Sequence, residues 1–277
     1  MKKPFFFTVI GATIFLVVIF VVPHILSVNH PVNKKVIGAA TTKITPTAVK
    51  PSIEPTITAT PSAQPKKKSY SIVLIGDSMI DTMGENVDYL GKSLKEKYPT
   101  TKFTLYNYGI GGQNVQQGLD RFDSNFAYNT RNFPPIPQVH PDIIIIGSFA
   151  YNPFAPYDRD RHWITLKKLI NKAKEVSSSV YILAEIAPLN ENFGKGPHGV
   201  NWPSEMTMTQ AREITELLDN AVALGKEVGI PVINVYYSTR AFGNYGSGAY
   251  TNTDDGIHPS IAGHTFIADM IAKTFQL

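Results

Sequence analysis

The sequence contains no cysteine. That excludes disulfides, thiolate nucleophiles and zinc–thiolate centres. Its seven histidines show no His-Glu-x-x-His or comparable metal spacing. His140, His162 and His198 read as surface or loop residues rather than metal ligands. A basic surface is also lacking where a nucleic-acid binder would need it. The chain is basic as a whole, with a pI near 9.0. Yet residues 1–69 carry nine lysines against one glutamate, a balance of +8, whereas residues 70–277 carry 17 basic and 21 acidic residues, a balance of −4. A mildly acidic globular part is a poor phosphate-backbone binder.

What is present begins with a greasy N-terminus. Two lysines precede Phe5 to Val22, 18 residues without a charge. This approaches the ~20 residues that cross a bilayer as a helix and exceeds the ~7–15-residue core of a cleaved signal peptide. Lys2 and Lys3 favour an inside N-terminus. The segment 1–27 therefore reads as a transmembrane signal-anchor, with a cleaved signal as the alternative. Residues 41–65 contain seven threonines and five prolines with no apolar period. Such a composition cannot bury enough surface to offset ordering entropy, so 28–69 reads as a disordered linker. A single domain is expected over 70–277.

That domain alternates strand and helix. Strands are predicted at 71–76 (SIVLIG), 103–108 (FTLYNY), 142–147 (DIIIIG), 180–186 (VYILAEI) and 231–236 (PVINVY). Continuous apolar runs such as Ile143–Ile146 suit strands covered on both faces. Stripes at Trp163, Leu166, Ile170 and Ala173, at Ile214 to Val222, and at Ile261 to Ile271 mark helices. The alternation predicts an α/β fold: a five-stranded parallel sheet in a three-layer α/β/α sandwich. Ligands of such sheets bind beyond the carboxyl ends of the strands. Ser78, the glycines 109–112 and Asn152 all follow predicted strands.

Two nucleotide-like patterns fail. Asn86 to Ser93 (NVDYLGKS) lacks the first glycine of a phosphate loop and reads as helix. GIGGQN, Gly109 to Asn114, has asparagine at the third glycine position of a dinucleotide fingerprint.

The chemistry concentrates elsewhere. In NTDDGIHPSIAGH, Asp255 precedes His258 by three residues, so the acid can fold back on the ring and fix its tautomer. A serine needs such a base to attack a carbonyl at neutral pH. Together with GDS at Gly76–Ser78, NYGIGGQN and DGIHPSIAGH, these motifs resemble the SGNH/GDSL hydrolase superfamily over roughly residues 70–277. One block departs: the family's Gly-x-Asn-Asp is GSFAYNPF here. Asn152 stands five residues after Gly147 and Pro153 replaces the acid, so the loop has to bulge for Asn152 to reach the site.

The resemblance implies a flavodoxin-like fold and a catalytic triad of Ser78, Asp255 and His258. It also implies an oxyanion hole from the Ser78 N–H, the Gly112 N–H and the Asn152 side chain, with Asn114 as fallback donor. The implied activity is ester hydrolysis through an acyl-serine, a course that requires no metal or organic cofactor. With the anchor, the expected protein is a monomeric catalytic domain outside the cytoplasm acting on acylated glycan or lipid. An O-acyltransferase and a non-catalytic glycan-binding module are the alternatives. The Asn-, Gly- and Pro-rich segment 188–205 reads as a substrate rim bearing His198 and Trp202, or as a plain connector.

Overall fold

A computed structural model describes residues 67–277. The anchor expected over 1–27 and the linker up to residue 66 lie outside the described residues. Among the described residues no helix is long and apolar enough to cross a membrane. The expected linker boundary shifts. Ser69 already pairs with Lys102 in the sheet, and Lys67 Nζ meets Asp142 Oδ1 at 2.5 Å.

Five parallel strands form the central sheet: β1 (Ser69–Gly76), β2 (Lys102–Gly109), β3 (Ile143–Gly147), β4 (Ser179–Ala184) and β5 (Val232–Asn234). Their spatial order is 2-1-3-4-5, the flavodoxin-like order. β1 explains the sandwich. Ile72 and Leu74 face one core cluster with Leu90 and Ile267; Val73 and Ile75 face the other with Leu166 and Ile170. All four are fully buried, as a strand covered on both faces requires.

The helices are α1 (Ser78–Asp81), α2 (Asp88–Lys97), α3 (Val115–Asp120), α4 (Ile136–Val139), α5 (Arg159–Val176), α6 (Ser204–Glu227), α7 (Val235–Thr239) and α8 (Ile261–Thr274). Helix α2 buries Leu90 and Leu94, so the phosphate-loop look-alike is indeed helix. The fifth strand is shorter than expected. Asn234 ends it by accepting a hydrogen bond from the Tyr237 N–H at 2.9 Å, which starts α7 where strand was predicted. In α5 the expected Leu166, Ile170 and Ala173 are buried together with His162 and Leu169, while Trp163 is half-buried against the same core. His162 is a correction: it is buried rather than on the surface, its Nε2 lying 2.8 Å from the Ser148 carbonyl. Burial lowers its pKa to about 4.

Candidate active site

The strand order reverses between β1 and β3, and a crevice opens at the carboxyl ends there. Ser78 follows β1 and Asn152 follows β3, so topology alone brings them to one edge. The chain leaves β1 in a turn with no room for side chains. A Cβ on Gly76 would lie 2.2 Å from Ile80 Cγ1, and one on Gly109 2.2 Å from the Asp81 backbone nitrogen. Glycine at both strand ends lets α1 sit directly on the sheet. Asn107, buried in β2, secures it by donating to the carbonyls of Ile80 (2.9 Å) and Gly84 (2.8 Å).

Ser78 is the first residue of α1 and is half-buried. At that position its N–H has no intrahelical acceptor. Asp77 caps the helix: its Oδ1 accepts from the Met79 N–H at 3.0 Å, and its Oδ2 accepts from Asn152 Nδ2, also at 3.0 Å. Burial raises the Asp77 pKa, and the Asn152 and Met79 hydrogen bonds and nearby His258 only partly oppose it.

Asp255 and His258 form the predicted pair. His258 Nδ1 lies 2.8 Å from Asp255 Oδ2, while Asp255 Oδ1 accepts from the N–H groups of Ile257 (2.7 Å) and His258 (2.9 Å). Burial pushes the Asp255 carboxyl upward, but these bonds outweigh it and hold the pKa below its ordinary value. With Nδ1 committed, Nε2 is the ring nitrogen left over. No hydrogen bond joins it to Ser78 Oγ among the described residues. His258 lines a hollow of about 770 Å³ with Thr82, whose hydroxyl donates to the Ser78 carbonyl at 2.9 Å.

The remaining positions meet across a second hollow of about 400 Å³, lined among others by Gly112, Asn114 and Asn152. Gly112 has φ +75°, a left-handed backbone that glycine adopts without cost. The bulge demanded by the long spacing is present. Phe149 adopts φ +57°, rare for an aromatic residue, and the Asn152 N–H returns to the Phe149 carbonyl at 3.4 Å. Phe149 is fully buried and lies where a side chain on Gly118 would stand, so packing holds the strained turn. Asn114 is engaged elsewhere. Its side chain caps α3, accepting from the N–H groups of Gln116 and Gln117. Of the rim residues, Trp202 lines this hollow, whereas His198 is exposed and pairs with Asp254 at 2.8 Å.

Two charged residues beneath the site were not expected from sequence. Arg121 is buried, donating to the Gly76 carbonyl (2.8 Å) and Gln113 Oε1 (2.7 Å); it ties the serine turn to the Gly112 loop. Burial lowers its pKa to about 10. Glu185 follows β4 and is buried, its Oε1 accepting from the Ser148 N–H at 2.9 Å and its Oε2 bonded to Ser148 Oγ. Burial, aided by Asp77, raises its pKa to about 8. A lone acid inside the apolar run VYILAEI was the available signal. Among the described residues no cluster of His, Cys, Asp or Glu could hold a metal.

The family model for the GDSL-like lipase/acylhydrolase family matches residues 74–266. No curated protein matches the sequence. Among solved structures, the chain is similar to a lipase/acylhydrolase from Enterococcus faecalis, at 17% identity over 75% of this chain and 95% of that one, with a TM-score of 0.56. It is similar to a GDSL-like lipase from Bacteroides thetaiotaomicron at 21% identity over 76% and 90%, TM-score 0.52. A variant of an acetyl xylan esterase from Geobacillus stearothermophilus aligns at 16% identity over 75% and 96%, TM-score 0.50. At these identities the structural likeness speaks for the fold, and the family rests on the sequence match.

Proposed function

Because the chain belongs to the GDSL-like lipase/acylhydrolase family, whose members are ester-hydrolysing serine hydrolases, we propose that Ser78 is its nucleophile and His258 its general base, with Asp255 orienting that base and balancing its charge. The observation that carries this reading is the Asp255–His258 pair, bonded through Nδ1 at 2.8 Å with Nε2 uncommitted. Ser78 Oγ attacks the ester carbonyl as Nε2 takes its proton. The new O–C bond gives a tetrahedral oxyanion, which the N–H groups of Ser78 and Gly112 and the Asn152 amide stabilise. Collapse breaks the bond to the alcohol, which leaves with the proton from His258. Water, deprotonated by His258, then releases the acid and restores Ser78. Neither reacting atom has another hydrogen-bond partner among the described residues, and catalytic bonds of this kind tighten on substrate binding.

The wider setting belongs to the same proposal. The apolar run Phe5–Val22 behind two lysines supports a membrane anchor with the catalytic domain, 70–277, on the extracytoplasmic side, joined by the Thr/Pro-rich linker. A monomeric esterase held there meets envelope glycans, and O-acyl groups on carbohydrate are its proposed substrates. A phosphatase reporter fused after residue 70 tests the orientation: activity supports export, and its absence refutes it.

The catalytic assignment is tested on the full chain in mild detergent. A fluorophosphonate probe labels the parent and not Ser78→Ala. Equal hydrolysis of p-nitrophenyl acetate by both would sink the assignment. Acetyl transfer to an added oligosaccharide in preference to water would replace hydrolysis by transfer.

A further inference from the structure

The hollow beside Asn152 has a character of its own. One wall is the loop after β3; the other is Trp202 and the first turns of α6. Trp202 is half-buried against the core but also fronts a second hollow of about 280 Å³, shared with Gln210. Its indole thus stands between two open spaces, one of which contains Gly112 and Asn152.

Its position is built rather than incidental. The preceding Asn201 has φ +49°, and such strain persists only where the surroundings impose it. Here they do: the Asn201 amide donates to the carbonyls of Gly196 (2.8 Å) and Gly199 (3.0 Å), its N–H to that of Gly194 (2.9 Å), and Lys195 Nζ bonds the Trp202 carbonyl. The same segment is tied to the histidine loop, the Gly194 N–H donating to the Gly256 carbonyl at 3.0 Å and the His198 N–H to that of Asp254 at 2.8 Å.

The polar groups around the indole point the same way. Gln210 and Glu213 line the hollow, and neither side chain has a hydrogen-bond partner among the described residues. Tyr157, also there, is fixed by donating to Glu216 Oε2 at 2.6 Å. Among the described residues no lysine, arginine or histidine lines this space. An aromatic plate flanked by free amide and carboxylate groups, with no cation, suits a neutral polyhydroxylated ring: its C–H face covers the indole and its hydroxyls reach Gln210 and Glu213. It does not suit a phosphate- or uronate-bearing ligand, which would meet the Glu213 carboxylate with no cation in the lining to answer it; the nearby Arg212 is taken up by Glu216 at 3.2 Å.

We infer that this hollow binds the sugar that carries the ester, a neutral O-acetylated oligosaccharide, with Trp202 as stacking plate and Gln210 and Glu213 as hydroxyl partners. The inference rests on the serine-esterase reading above, and its test separates the two. The full chain, Trp202→Ala and Gln210→Ala are assayed on p-nitrophenyl acetate and on O-acetylated, uncharged xylo- and chito-oligosaccharides. Trp202→Ala loses about tenfold more in kcat/KM on an acetylated oligosaccharide than on the aryl ester, the excess falling chiefly in KM. Gln210→Ala, on a helix surface, shows the same split more weakly. Glu213→Lys turns preference toward uronate-bearing acetylated oligosaccharides. Equal losses on both substrates in both truncation variants, or a parent that prefers acidic acetylated glycans to neutral ones, would overturn the inference. A parent that takes the fluorophosphonate and cleaves the aryl ester but no acetylated oligosaccharide overturns it too, with the serine-hydrolase assignment intact. A parent that does neither defeats that assignment first.

Discussion

Replacing Glu185 by glutamine changes how stability depends on pH. The carboxyl is fully buried, and burial with the neighbouring Asp77 raises its pKa from 4.5 to about 8. Between those values the folded protein holds a proton that the unfolded chain has released. Stability is therefore fully present below about pH 4.5 and is lost as pH rises through 8. Each pH unit in that window removes about 1.4 kcal/mol. From pH 5 to pH 7.5 the loss attributable to Glu185 is about 3–4 kcal/mol, or roughly 6–16 °C in Tm for a domain of this size. Glutamine keeps an acceptor for the Ser148 N–H and a group facing Ser148 Oγ, but cannot ionise. The assay is thermal melting of parent and Glu185→Gln by circular dichroism across pH 5–8. The gap between them moves in favour of the glutamine variant as pH rises. Asp77, pushed the same way by burial, gives both proteins a falling slope, so the difference between the curves is the readout. Parallel curves across that range would refute the reasoning.

Two further outcomes follow from the same edge of the sheet. Asn152→Ala lowers kcat by about 10²–10³, with KM for p-nitrophenyl acetate little changed; an unaltered kcat would remove Asn152 from the oxyanion hole. Gly109→Ala puts a methyl group 2.2 Å from the Asp81 nitrogen; the forced shift of α1 costs about 1–3 kcal/mol and reduces fluorophosphonate labelling of Ser78, both read on one preparation, and an unchanged melt and labelling rate would show that α1 yields freely.

The sheet was legible because its chemistry is local. IVLI and IIII can be satisfied only between two helical layers, and the switch point then follows from strand order. Asp255 and His258 were legible because three residues of loop suffice to join them. The loop to Asn152 was legible as a bulge but not in its route: the spacing demanded one, yet no propensity places a phenylalanine at positive φ, and packing against Gly118 holds it there. Arg121 and Glu185 bond partners 45 and 37 residues away, distances at which no local pattern speaks. The antiparallel ribbon of Phe126–Tyr128 with Arg131–Phe133 was invisible for another reason: three-residue strands are too short for alternation to register. The end of β5 turned on one side-chain cap, at Asn234, that competes with strand continuation.

The bonds from Gly194 and His198 to the histidine loop have an evolutionary corollary. On the reading above, the ligand surface and the catalytic base sit on two segments that these hydrogen bonds hold together, so inserting or deleting residues between 188 and 203 would disturb the base while altering the ligand surface. Amino-acid changes on the exposed side of α6 carry no such penalty. Diversification of this scaffold toward new sugars should therefore accumulate as point changes along that helix, with the length of the connector held fixed.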